Sequence, residues 1–385
     1  MEKLERNTNL PLFFIDTEFG KPLKTKEQKT KIRWEYKNKN GSGKIRVRGN
    51  STAQQPKKPY LLILNHKEDF LGTGAAEKWV LISNGTDNTS LRNAYASYLG
   101  KNVFTNQRWL PHYEYVNLIL NGKFQGVYQL YEKIQIKENR LNLSKGSFLS
   151  VTNTRNTKKF NFRTDLRNVG FSLYDPDENQ TEEEAKWKID IINKAEKALF
   201  SEEFKNPQTG WRAYFSEDEL IDWYWLNEFS TNRDARMKDS CFMFYDSDDK
   251  KLHFGPAWDF DIAFGNNSYD ENCLTENYWI RKNASWFERL FEDKEFAAKV
   301  NNRWKECSPA VKDSFIWLKE TKAQIHKAMI YDDRIWKVIG HYQWPHAVGW
   351  QKRHSYDDEV QYFYDWLEKR TEWLDNDILS PSTKN

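Results

Sequence analysis

Along the first 175 or so residues, apolar and polar positions alternate with a period of two, as in strands that bury one face. LPLFFID (10–16), IRWEY (32–36), KIRVRGNS (44–51), KKPYLLILNH (57–66) and KWVLIS (78–83) read this way. Gly41 and Gly43 suggest a turn into the third of these, and Pro59 opens the fourth, a first position that proline tolerates. After NGTDNTS, Thr89 or Ser90 is the expected N-cap of a helix through LRNAYASYLG, closed by Gly100. In YEYVNLILNGKFQGVYQLYEKI (113–134), two alternating runs flank Asn121-Gly122, the dipeptide favoured in a type I′ hairpin turn. FLSV, KKFNFRT and VGFSLYD extend the strand-like series.

Beyond residues 175–180 the period lengthens. Acidic residues from Thr181 start a helix near Glu182, with Ile189, Ile192, Ala195 and Leu199 on one face. A second helix begins near Glu217, its apolar residues Leu220, Ile221, Trp223, Tyr224, Leu226 and Phe229 three and four apart. SCFMFYD and KKLHFG then form two short strands, joined through Asp246-Ser247-Asp248-Asp249. From Ser285 three helical runs follow, at 286–307, 309–330 and 360–379, and SPSTKN is an expected disordered tail. The expected class is α+β: a β-rich lobe with one helix (1–178), a mainly helical lobe (179–378) and a tail (379–385).

Composition narrows the function. With 59 basic against 56 acidic residues the net charge is +3, and no basic stripe argues for nucleic acid. No apolar run is long enough to span a bilayer. Cys241, Cys273 and Cys307 are too scattered for a zinc knuckle or a disulfide framework, and they leave the redox compartment open. MEKLERNTNLP has no apolar core of a signal peptide. Location therefore stays open between the cell or spore surface, if a leader has been removed, and the cytoplasm. Aromatics reach 16% and invite a carbohydrate-binding reading, but most fall at core-like spacing. The seven histidines, His253 included, show no ligand spacing and read as structural.

Candidate chemistry concentrates between Asn227 and Gly265. In WDFDIAFG, Asp259 and Asp261 stand two apart; on an extended segment they would share a face, where an apolar setting penalises both unless a cation intervenes. Mg²⁺ suits one or two carboxylates plus phosphates. Upstream, Asp234 and Asp239 are five apart in the loop after a helix. That is the separation between the proton-accepting Asp and the metal-holding Asn of a protein-kinase catalytic loop. The plainer reading makes Asp234 a turn residue and Asp239 a strand cap. In the amino half, Arg46, Arg48, Lys57, Lys58 and Arg92 are candidate phosphate cations. Gly41, Gly43 and Gly49 do not make a proper glycine-rich phosphate loop.

RVRGNS, KKPYLLIL, WVLIS…SLRNAYASYLG, VNLILNGKFQGVYQLYEKI and GPAWDFDIAFG, in this order, resemble the successive blocks of the CotH kinase family, the spore-coat-protein-H-like atypical kinases. The resemblance covers roughly residues 10–375. It implies an ATP-dependent kinase with a much-altered, two-lobed protein-kinase fold, using Mg²⁺ or Mn²⁺ on Ser/Thr hydroxyls of secreted or surface proteins. Residue by residue, it makes Asp234 the catalytic Asp and Asp259 the metal-holding Asp, with Asp261 ranked second for that role. Asp239 stands where the second metal-binding Asn would be. Lys58 becomes the phosphate-contacting lysine, with Lys57 as the alternative. Arg48, Asn50 and Arg92-Asn93 would line the nucleotide site, and Glu132 would lie near the hinge or brace a cation. There is no HRD; Thr231-Asn232-Arg233-Asp234 takes its place. The alternative from another class is a surface or spore-coat structural or adhesion protein on the same scaffold. Oligomeric state and acceptor identity are not legible.

Overall fold

The computed structural model describes residues 8–155, 160–176 and 180–379. Seven strands close a barrel: β1 (Leu12–Thr17), β2 (Thr30–Tyr36), β3 (Lys39–Val47), β4 (Tyr60–Glu68), β5 (Ala76–Ile82), β6 (Tyr113–Leu120) and β7 (Lys123–Glu132). Their order is β1-β2-β3-β4-β5-β7-β6, closed by a parallel pairing of β1 with β6. The period-two pattern explains the interior. In β2, Ile32, Trp34 and Tyr36 are buried while Lys31, Arg33 and Glu35 are exposed. Each such side chain taken from water contributes roughly 1.5–3 kcal/mol. Phe13 stacks on Tyr36 at 5.0 Å and Phe70 meets Trp34 edge-on at 5.1 Å, so the barrel is filled by rings.

The hairpin at Asn121-Gly122 forms as expected, both residues having positive φ (50° and 72°) as a type I′ turn requires. The turn expected at Gly41 and Gly43 does not form. The chain turns earlier, at Lys37-Asn38, and both glycines lie inside β3. Their role is close approach: a Cβ on Gly41 would sit 2.6 Å from the Trp34 ring, and one on Gly43 would sit 2.5 Å from the Ile63 carbonyl oxygen.

Helix α1 (Arg92–Asn102) also departs from expectation at both ends. The Asp87 carboxylate, rather than a neighbouring hydroxyl, accepts the Arg92 N–H at 2.9 Å. Gly100 does not end the helix; it lies within it, where a Cβ would meet Leu110 at 2.4 Å.

A second sheet has the order β12-β11-β8-β10-β9, from β8 (Phe148–Thr152), β9 (Asn161–Arg163), β10 (Gly170–Asp175), β11 (Phe242–Asp246) and β12 (Lys251–Phe254). The first two residues of the expected KKFNFRT strand lie outside the described residues, as do the boundary at 178 and the tail beyond 379. Helix α2 (Glu182–Leu199) begins at a full capping box, Thr181 with Glu184. Helix α3 (Glu217–Phe229) is buried at every position from Leu220 to Phe229, not only along one stripe. Burying its acids requires partners: Arg303 binds Asp222 at 2.7 and 2.9 Å, and Arg370 binds Glu228 at 3.1 Å.

Helix α4 (Ile280–Asn283) and helix α5 (Ser285–Leu290) precede helix α6, Lys294–Trp336, a single 43-residue helix. The expected runs 286–307 and 309–330 are thus cut differently. The chain breaks at 291–293 and continues through Pro309, whose ring costs a hydrogen bond but does not end the helix. Helix α7 (Tyr356–Leu379) closes the described chain.

By contacts the chain forms two units. The first contains the barrel, from residues up to 92, 111–133 and 316–363. The second contains the other sheet and α3, from 93–110, 134–315 and 364 onward. The protein is thus of mixed α+β class, with a β-rich amino-terminal region and a helical carboxy-terminal part.

Candidate active site

The loops of the second unit bring acidic side chains together. Past the last turn of α3 the chain takes a left-handed conformation at Thr231 (φ 47°), then a tight turn over Arg233–Ala235, then left-handed positions again at Met237 and Ser240 (60° and 58°). A β-branched residue at positive φ is strained, and such strain persists only where surroundings hold it. Here Asn232 does the holding. Its side chain accepts the Asp234 N–H at 3.3 Å and donates to Asn227 Oδ1 at 3.1 Å, while its carbonyl accepts from Trp279 at 3.0 Å.

The WDFDIAFG segment is not the extended strand expected from its spacing. Asp259 has φ 72°, Phe264 has φ 51°, and turns occupy Asp261-Ile262 and Phe264-Gly265. Long-range bonds impose this shape: Asn93 Oδ1 accepts the Phe260 N–H at 2.8 Å, and the Ser230 carbonyl accepts the Phe264 N–H at 2.7 Å. The same-face argument for Asp259 and Asp261 therefore fails.

What the fold does bring together is Asp234, Asp239 and Asp259. The Asp234 carboxyl is pushed from an ordinary 3.8 to about 6, first by burial and then by the charges of Asp259 and Asp239; Arg233 and Lys238 oppose the rise. Its side chain is only 22% exposed, and Arg233 approaches it at 3.4 Å. Ser240 donates its hydroxyl to Asp259 Oδ2 at 2.7 Å. Thr154 donates both N–H and O–H to Asp239 at 3.0 Å. Beneath the loop, the buried Cys241 thiol reaches the carbonyls of Asp234 and Asp239 at 3.4 and 3.5 Å. Carboxylate oxygens are the donors that hard cations such as Mg²⁺ or Mn²⁺ accept, although the ligand atoms of these three do not all lie within 4.8 Å of one another. Asp261 is not among the main charges acting on Asp234, and its carbonyl takes an amide N–H from Asn266 at 2.6 Å.

A second acidic group, Asp246, Asp249 and His253, has ligand atoms within 4.8 Å of one another. Arg108 already supplies a cation there, paired with Asp246 and with Glu219 at 3.4 Å. His253 bridges Glu219 (2.8 Å) and Asp249 (2.9 Å) through its two ring nitrogens. The geometry admits a metal, but the arrangement serves equally as a closed ion network.

The remaining predicted residues lie in the barrel unit. Lys57 is buried and bound to Asp332 at 2.6 Å, which also accepts the Val127 N–H. Lys58, half-buried, donates to the carbonyls of Ala53 (2.9 Å) and Gln55 (3.2 Å). Arg92 is buried against Asp87 at 2.5 Å. Glu132 is fully buried and accepts from Thr73 and from the His112 N–H at 2.9 Å. Asn50 is exposed and accepts from Lys26 at 3.1 Å, and the Arg48 N–H bonds the Pro59 carbonyl at 3.0 Å. Arg92 and Glu132 are thus buried and already held by structural partners.

Sequence reasoning missed Ser240, Thr154, Asn232 and the anchoring role of Asn93. Only the pairing of β8 with β11 makes Thr154 visible, since it brings the chain after β8 beside the chain before β11.

Among the described residues no helix is long and apolar enough to cross a membrane. A search of curated proteins finds no match. The family model described as CotH kinase protein matches residues 45–374, which takes in β4 to β12, the Asp234 loop, the Asp259 segment and most of α7. The chain therefore belongs to the CotH kinase protein family.

Proposed function

We propose that this protein is an ATP-dependent phosphotransferase on a two-lobed, protein-kinase-like scaffold, passing the γ-phosphoryl group to Ser/Thr hydroxyls of secreted or surface proteins. The observation that carries the reading is that burial and the charges of Asp259 and Asp239 together raise the Asp234 carboxyl to about 6. A group poised near neutral pH suits proton acceptance from an attacking hydroxyl. Asp259 and Asp239 would hold a divalent cation, which supplies positive charge to phosphate oxygens. Asp234 orients the acceptor hydroxyl and takes its proton. Arg233, beside Asp234, balances the cluster's negative charge. Lys58 is assigned to phosphate contact on the family resemblance; Lys57 is the weaker choice because Asp332 already holds its charge. Asp261 stays second to Asp259 as a metal ligand.

Thermal stabilisation tests the reading. A ligand at 100 times its Kd adds about 2.7 kcal/mol to the stability of the form that binds it. ATP with Mn²⁺ should raise the melting temperature more than either alone. No stabilisation by any nucleotide–metal pair would favour a structural or adhesive role on the same scaffold.

A further inference from the structure

The two loops that carry the acidic cluster are tied to the end of one sheet. Strand β11 runs antiparallel to β8 with Phe242 opposite Val151. The ladder outlasts both strands: the Thr152 N–H bonds the Cys241 carbonyl at 2.9 Å, and the Ser240 N–H bonds the Thr152 carbonyl at 3.2 Å. The Cys241 N–H bonds the Thr152 hydroxyl at 3.0 Å. Thr152 thus faces both Ser240 and Cys241, a bulge that ends the regular ladder with Ser240 at its left-handed position. Thr154 uses both its donors on Asp239, the N–H on Oδ1 and the hydroxyl within 3.0 Å of both carboxylate oxygens.

Ser240, next along, adopts φ 58°, a conformation that glycine takes without strain. A serine at that position adds one thing glycine lacks, a hydroxyl, and that hydroxyl donates to Asp259 Oδ2 at 2.7 Å. Each carboxylate assigned to the cation thus has its own hydroxyl donor, and both donors stand just beyond the paired ends of β8 and β11.

We propose that Ser240 and Thr154 are positioning residues for the divalent cation, orienting Asp259 and Asp239 respectively and thereby setting metal affinity. The inference rests on the functional reading above and goes beyond it by naming what holds the metal-binding carboxylates in place. Residues that hydrogen-bond metal ligands orient them, and their removal typically costs 10–100-fold in metal affinity or activity.

Mn²⁺ titration followed by the electron paramagnetic resonance of free Mn²⁺, with a non-hydrolysable ATP analogue present, reads the affinity without turnover. Ser240→Ala and Thr154→Val should each raise the Mn²⁺ Kd about 10–100-fold. Thr154→Ser, which keeps the hydroxyl, should restore it. Ser240→Gly fits the left-handed backbone and still lacks the hydroxyl, so it should lose affinity as Ser240→Ala does while folding without strain. In turnover assays the Ala and Val variants should recover their kcat at saturating Mn²⁺, a split that a general loosening of the loop would not produce. Wild-type affinity in Ser240→Gly and Thr154→Val would overturn the inference, and so would equal losses in Thr154→Ser and Thr154→Val. A wild-type protein that binds no Mn²⁺ would overturn the metal reading itself, and the inference with it.

Discussion

Asp234→Asn should make the metal-free protein more stable and inactive at the same time. The Asp234 carboxyl sits at about 6 when folded, against an ordinary 3.8. Between those values the folded chain binds more protons than the unfolded one, so stability falls as pH rises through the window. Below pH 4 the effect is absent; above pH 6 it is complete. Each tenfold change in proton affinity is about 1.36 kcal/mol, so the rise from 3.8 to about 6 corresponds to about 3 kcal/mol. That figure is an upper bound, because the side chain is 22% exposed and solvent screens it. Asparagine has nearly the same shape and no charge, so the destabilisation disappears. Chelator-treated wild type and variant should be melted at pH 8 and pH 4.5. The variant's advantage should be up to about 3 kcal/mol at pH 8 and fall to about 1 kcal/mol at pH 4.5. Divalent cation should narrow the gap by stabilising the wild type more. Phosphoryl transfer by the variant should fall about 10²–10⁴-fold, the usual contribution of a positioned base. A stability difference independent of pH would refute the claim that burial and the charges of Asp259 and Asp239 raise the Asp234 carboxyl.

Three further outcomes follow from the geometry. Lys58→Ala should weaken ATP affinity or turnover at least tenfold with the melting temperature little changed, since a charge-assisted hydrogen bond contributes roughly 1.5–3 kcal/mol; unchanged kinetics would move the phosphate contact elsewhere. Gly122→Val meets no neighbour within 4 Å, so its cost is that of a branched residue at φ 72°, about 1–2 kcal/mol and a lower melting temperature; unaltered melting would reject the type I′ turn. Asp332→Ala strands the buried Lys57 and the Val127 N–H, and should cost about 3–5 kcal/mol in chemical denaturation; a cost under about 1 kcal/mol would mean that the pair is hydrated.

Local pattern reached some features and not others. The β2 alternation and the Asn121-Gly122 hairpin depend on neighbours in sequence, and both were legible from side-chain periodicity and turn chemistry. Gly41 and Gly43 looked like a turn because glycine permits one; their contacts with Trp34 and Ile63 depend on strand pairing that the string does not display. The acidic cluster was partly legible: spacing pointed to Asp234 with Asp239 and to Asp259 with Asp261, and only the family resemblance preferred Asp259. The shape of the Asp259 segment was not, because Asn93 and Ser230 impose it from distant positions. Thr154 lies 85 residues from its partner Asp239, and only the pairing of β8 with β11 brings them together.

The central claim is that Asp234 and Asp259 belong to one metal-dependent phosphotransfer site. It is tested most directly by incubating the protein and a Ser/Thr-rich acceptor with γ-labelled ATP and Mn²⁺, followed by phosphoamino-acid analysis. The account predicts label on serine or threonine that is lost with chelator, in Asp259→Asn and in Asp234→Asn, with metal-dependent ATP binding lost only in Asp259→Asn. Transfer that survives both substitutions, or that proceeds without divalent metal, would contradict it.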